Sequence, residues 1–188
     1  MTSLRFRAAV ADDAEGVALL HADSWRRHYR GAYADAFLDG DVVANRRDVW
    51  SSRLAAPAAA ATATATVVAE DDAGLLGFVH VVFDADDTWG SLIDNLHVTD
   101  NRRRTGVGGA LLVRAAEAVR ERVGGQAVYL WVLEQNTAAQ QFYRALGGTC
   151  VEVAPVPPPG GVPDRLNGSP KGLRIAWSDA ALLRPPGR

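Results

Sequence analysis

Residues 99–123 read TDNRRRTGVGGALLVRAAEAVRERV, and their interpretation decides the fold. The first half is polar and glycine-rich, whereas the second half has helical periodicity. Leu111, Ala115, Ala118 and Val119 recur at i, i+4, i+7 and i+8, a single apolar stripe. Gly124-Gly125 then ends the helix. The preceding segment, GSLIDNLHV (90–98), reads as an apolar strand. The following one, AVYLWVL (127–133), is almost continuously apolar and β-prone, as suits a strand buried on both faces. Asn136 is placed to cap the next helix, TAAQQFYRAL, which stops at Gly147-Gly148.

Working outward, LRFRAAV (4–10) reads as a first strand, and Asp12 with Glu15 as a capping pair opening a helix over 12–29. Phe37, Val42, Val43 and Trp50 suggest a second helical region over 35–53. Residues 55–66 are expected to be a surface loop, because Pro57 and the alternating threonines oppose the helical bias of alanine. Strands follow near 65–70 and over 75–83, turning at Gly74. TCVEVA (149–154), with Cys150 expected to be buried, and LRIAW (173–177) close the pattern. The stretch between them, PVPPPGGVPDRLNGSPKG (155–172), is a long loop and not a linker, since too little chain follows to fold alone. Hairpins mixed with βα units predict an α+β, or mixed α/β, fold in one domain over 1–188.

The chain has 188 residues, 48% hydrophobic and 22% charged, enough for a core without staples, and its net charge of −2 opposes a dedicated nucleic-acid binder. Cys150 has no partner for a disulfide or a CxxC site, and His21, His28, His80 and His97 are too scattered for HExxH, so no metal is expected. With no apolar run of roughly 18 residues and no signal-like start, a soluble cytoplasmic protein, without membrane contact, is the expectation. Nineteen of the 20 basic residues are arginine; the one lysine, Lys171, lies in the late loop, which opposes Schiff-base or P-loop chemistry.

The turn Arg103–Gly109 has the makings of an anion site. A helix start offers unpaired N–H groups and the positive end of its dipole. Gly106, Gly108 and Gly109 permit close approach, and the neighbouring arginines suit phosphate oxygens. Walker A fails for want of GK[ST], and GxGxxG is absent. A plain tight turn with exposed arginines explains the same residues.

Two motifs in order break that tie. Arg103-x-x-Gly106-x-Gly108 resembles the acyl-CoA signature [R/Q]xxGx[G/A] of the GNAT acyltransferase superfamily. Val132, Asn136, Ala139, Phe142, Tyr143 and Gly147 resemble its V-x-x-x-N-x-x-A-x-x-F-Y-x-x-x-G segment. The match is best over residues 90–150. It departs at Arg104, where the family often has glycine.

The resemblance implies a mostly antiparallel sheet flanked by helices, and transfer of an acetyl group from acetyl-CoA to a primary amine by direct attack in a ternary complex. It places the pyrophosphate on the amides of Arg104, Thr105, Gly106, Val107, Gly108 and Gly109, beside Arg103. The pantetheine arm would pair with the strand carrying Leu96, His97 and Val98. A backbone N–H near Val98 would polarise the thioester carbonyl. Asn136, Ala139, Phe142 and Tyr143 would border the cofactor, and Tyr143 matches the position that protonates the leaving thiolate. For the general base His97, Asp94 and a water relay all stand open; strand parity separates the first two, and a bulge would alter it.

Trp25, Tyr29 and Tyr33 are expected to form an aromatic wall for the acceptor, and Asp35, Asp39 and Asp41 to attract a cationic amine. The acceptor could be a small molecule or a protein, and the enzyme a monomer or a homodimer. Two rival readings are a non-catalytic acyl-CoA-binding or regulatory module on the same fold, and nucleic-acid binding through Arg102, Arg103 and Arg104, which the net charge opposes.

Overall fold

A computed structural model of the chain describes residues 4–55, 63–102, 104–123 and 127–183. Arg103, Gly124-Gly125 and residues 56–62 of the expected 55–66 loop lie outside the described residues. The elements run β1 (Arg5–Ala8), α1 (Ala14–His28), α2 (Asp35–Asp39), α3 (Val42–Leu54), β2 (Thr64–Asp71), β3 (Gly74–Asp86), β4 (Gly90–Val98), α4 (Val107–Val123), β5 (Val128–Leu133), α5 (Thr137–Ala145), β6 (Thr149–Pro155) and β7 (Lys171–Trp177). The strands form one seven-stranded sheet in the order β1-β2-β3-β4-β5-β7-β6. Its pairings are antiparallel apart from the parallel β4–β5 pair. The mixed, mostly antiparallel architecture is the one expected.

Alternation along β3 divides the helices between two layers. Phe78 joins Val68 under Val17, Ala18, Leu20 and Trp50, which come from α1 and α3. Val79 and Val81 face the opposite layer, where α4 buries Leu111, Leu112, Ala115, Ala116 and Val119. Each leucine or valine among them removed from water contributes roughly 1.5–3 kcal/mol.

The fold departs from the sequence reading at the second helical region, at the start of α1 and at Cys150. The second helical region is two helices, because the chain breaks at Gly40, where a Cβ would stand 2.8 Å from the Ala36 carbonyl oxygen. At the start of α1 it is Asp13, and not Asp12, that works: its carboxylate accepts the Val10 N–H (2.8 Å) and receives both Arg7 Nη atoms at 2.7 and 2.9 Å. Cys150 is exposed, since β6 is the sheet's edge strand and its register slips between Cys150 and Glu152.

Candidate active site

β4 and β5 pair only at Ser91↔Val128 and Leu92↔Tyr129, and beyond those positions the strands diverge. Ile93–Val98 and Leu130–Leu133 line the resulting cleft, which has a volume of about 1050 Å³. Gly106, Gly108 and Gly109 form one end, and Asn136, Ala139, Phe142 and Tyr143 of α5 form a flank. At the far end stand Trp25, Tyr29 and Tyr33, together with Pro155–Gly160 of the late loop. That loop is tied to the segment after α1 by Ala34 N–H to Arg165 O (3.0 Å) and Asn167 N–H to Ala32 O (2.9 Å). The splay thus gathers the separate sequence segments into one space.

At the glycine end, the Arg102 N–H bonds Thr99 O (3.0 Å) and the Ala110 N–H bonds Gly106 O (3.0 Å). The amides between them, 104–109, have no acceptor among the described residues. Gly106 has φ +87°, a conformation that disfavours a side chain, and a Cβ at Gly109 would meet open space. Arg104 is also left-handed, φ 62°, which explains why glycine suits that position. The Thr105 hydroxyl donates to Arg102 O (2.5 Å), and Val107 turns its side chain into the core, so both offer the turn their amides. Arg102 is engaged by the buried Asp71 at 2.6 Å.

Along the cleft the free edge of β4 is polar. The Thr99 N–H is bonded to Leu76 O of β3 at 2.8 Å. Amides alternate between the two edges of a strand, so the Val98 and Leu96 N–H groups point toward β5, into the splay. A bulge lies upstream: His80 pairs Asn95 while Val81 pairs Ile93, leaving Asp94 without a partner.

Tyr143 is buried to 9% exposure yet borders the cleft, and among the described residues its hydroxyl has no partner. Burial pushes that phenol above its ordinary value, with Tyr29 adding to the effect, so it stays protonated at neutral pH. Asn136 caps α5 as expected, accepting the Ala139 N–H at 3.2 Å. Phe142 sits against the glycine turn, 3.6 Å from where a Cβ on Gly108 would stand.

His97 and Asp94 both line the cleft in different surroundings. His97 Nδ1 bonds Ser24 Oγ at 2.7 Å and its ring stacks on His21 at 4.4 Å. Burial, with His28 and Arg46 nearby, pushes its pKa down to about 3. Asp94 Oδ2 meets Arg53 Nη2 at 2.9 Å and the Asn95 amide at 2.5 Å, while Oδ1 has no partner among the described residues.

The aromatic wall is present: Trp25 lies 5.4 Å from Tyr29 and 5.0 Å from Tyr33, and those two are 4.9 Å apart, ring centre to ring centre. Burial holds Tyr29 at about 12 and Tyr33 higher still. The expected acidic lure is absent from this end. Asp35 and Asp39 are paired with Arg30, Asp41 precedes α3, and none of the three lines the cleft. Arginines stand there instead. Arg46 is 7% exposed, with its guanidinium 4.1 Å from the Trp25 ring centre and its Nε and Nη2 on Asn45 Oδ1 at 3.1 and 2.5 Å. Burial and the nearby Arg53 pull its pKa down to about 10. Sequence reasoning missed both arginines, although a signal existed. Val42, Arg46 and Trp50 fall at i, i+4 and i+8, so Arg46 interrupts an apolar stripe.

Among the described residues there is no helix long and apolar enough to cross a membrane, and no cluster of three or more His, Cys, Asp or Glu able to hold a metal ion.

A sheet split by diverging parallel strands, with a glycine turn opening a helix beside the split, defines an acyltransferase architecture. Residues 14–147 match the model of the acetyltransferase (GNAT) family, and the chain belongs to that family. It is 28% identical, over 142 residues, to an uncharacterized N-acetyltransferase of Bacillus subtilis strain 168, YuaI, covering 74% of this chain and 76% of that protein. Its fold is similar to that of the PaiA N-acetyltransferase of Thermoplasma acidophilum in complex with coenzyme A, with TM-score 0.71, 16% identity, and coverage of 93% and 99% of the two chains. It is also similar to that of YncA of Salmonella typhimurium with its cofactor acetyl-CoA, with TM-score 0.65, 16% identity and 94% of each chain covered.

Proposed function

We propose that the chain moves an acetyl group from acetyl-CoA to a primary amine by direct attack within a ternary complex, as one cytoplasmic catalytic domain. The observation that carries this reading is the splayed β4 edge. It presents the Val98 N–H to a cleft that also holds the Tyr143 hydroxyl, unpartnered among the described residues. The amides of 104–109, unspent among the described residues, suit a pyrophosphate together with Arg103 and Arg104, and the Leu96–Val98 edge suits an amide-bearing arm added as a further strand.

The chemistry divides among named groups. The Val98 N–H donates to the thioester carbonyl oxygen and stabilises the charge that grows there as nitrogen attacks. Asp94 holds the incoming ammonium through Oδ1 and relays one of its protons to water, leaving an amine that can attack. His97, neutral down to about pH 3, stays in its stack as a positioning residue. As the C–N bond forms and the C–S bond breaks, Tyr143 hands its proton to the departing sulfur. A second nitrogen proton restores the phenol, so the products are an amide, a free thiol and one proton released. Because burial disfavours the phenolate, that proton must move together with C–S cleavage.

Amine-dependent release of free thiol from acetyl-CoA tests the reading, with wild type and Tyr143→Phe compared across an amine panel. Release by wild type that falls sharply in the variant supports it. Tight acetyl-CoA binding with no release on any amine would favour the regulatory module instead.

A further inference from the structure

The acceptor end of the cleft carries an uncompensated positive charge. Arg46 and Arg53 both line it, and Asp94 is the one carboxylate among the described lining residues. Asp94 is already bound to Arg53 at 2.9 Å. Arg46 has no acidic partner among the described residues, although 93% of it is out of solvent, by its 7% exposure. A guanidinium in that position is costly unless something anionic reaches it. Asn45 occupies its Nε and one side of Nη2, so the edge carrying Nη1 remains. Arg53 Nη1 is buried from water and has no partner among the described residues. Trp25 covers the Arg46 guanidinium from one side, its ring centre 4.1 Å away, which limits where its donors can point.

We propose that the acceptor is a carboxylate-bearing amine, anionic once its amino group has lost a proton, whose carboxylate is received by the free edge of Arg46 beside Arg53, while its amino group meets Asp94. This rests on the acetyl-transfer reading above and adds the substrate class to it. Two guanidinium groups against one carboxylate leave a single net positive charge, which matches a carboxylate better than the nearly doubled charge of a phosphate monoester. A planar fork and a carboxylate also fit in two parallel hydrogen bonds. Polyamines and cationic drugs, in contrast, would bring positive charge to Arg46 and Arg53.

The test is equilibrium binding of product mimics to protein saturated with coenzyme A. The probes are N-acetylated amino acids with aliphatic, aromatic and polar side chains, each paired with its own C-terminal primary amide. The best acid should bind at least tenfold more tightly than its amide. Arg46→Met should bring the two within about twofold, with coenzyme A affinity unchanged. Arg46→Lys, which keeps the charge if the methionine variant fails to fold, should retain part of the preference. Acids that bind wild type no better than their amides, or not at all, overturn the proposal, as does a preference that survives in Arg46→Met. Failure of the protein to bind coenzyme A overturns the acetyl-transfer reading together with it.

Discussion

The imidazole rings of His21 and His97 stack with centroids 4.4 Å apart and 33° between their planes, joining α1 to β4 under the acceptor end. His21 Nδ1 accepts the indole N–H of Trp50 at 3.0 Å, and His80 shares the cluster, its Nδ1 on Thr66 Oγ1 at 2.7 Å. Burial depresses all three: His97 to about 3, His80 to about 4 and His21 well below its ordinary range. Unfolded histidine titrates near about 6.5, so below that value the unfolded chain binds more protons than the folded one. Stability is therefore complete above about pH 6.5 and is lost as pH falls toward the folded values. The slope is at most about 1.4 kcal/mol per pH unit for each histidine. Calorimetry between pH 7 and pH 5, where carboxylates stay ionised, should show a steadily falling Tm. A flat Tm over that range would contradict the buried neutral cluster.

Tyr143→Phe removes a hydroxyl that no group in the described structure uses. Stability should change little, acetyl-CoA affinity should stay within about twofold, and turnover should fall by roughly 10²–10⁴. A parallel loss of affinity would make Tyr143 a binding or packing residue.

The glycines of the turn should respond differently to substitution. Gly106, at φ +87°, should lose about 1 kcal/mol on conversion to alanine, whereas Gly108→Ala makes ordinary contacts with Phe142 and Val98 and should be mild. Gly108→Trp fills the space before the free amides and should abolish acetyl-CoA binding. Thermal melts with and without ligand separate these cases.

Asp94→Asn keeps the shape of the bulge and removes the charge. Its partly exposed pair with Arg53 is worth at most about 1 kcal/mol, so folding should survive. Steady-state kcat/KM for the amine should drop by roughly 10² with acetyl-CoA affinity intact. Retained activity would return the base to water.

Much of this was legible in the sequence, because the glycine turn and the Asn136 cap are local features set by periodicity and backbone chemistry. The order of strands and helices followed from the same signals. What escaped depended on tertiary placement. Cys150 was expected inside because its segment looks β-prone, but only sheet order reveals an edge strand. Asp35 and Asp39 looked available until Arg30 was found to bind them. Arg46 shows in the sequence only as a break in the Val42–Trp50 stripe, and its role emerges when α3 lays it against Trp25. The bulge at Asp94 depends on β3 register, which no local pattern of β4 specifies.

The central claim, that the cleft between β4 and β5 is an acetyl-CoA site, is tested most directly by the melting temperature of wild type against acetyl-CoA concentration. At a hundredfold excess over Kd the stabilisation should be about 2.7 kcal/mol, or roughly 5–10 °C for a chain of this size. Gly108→Trp should show no shift. An unchanged Tm for the wild type at millimolar acetyl-CoA would contradict the account.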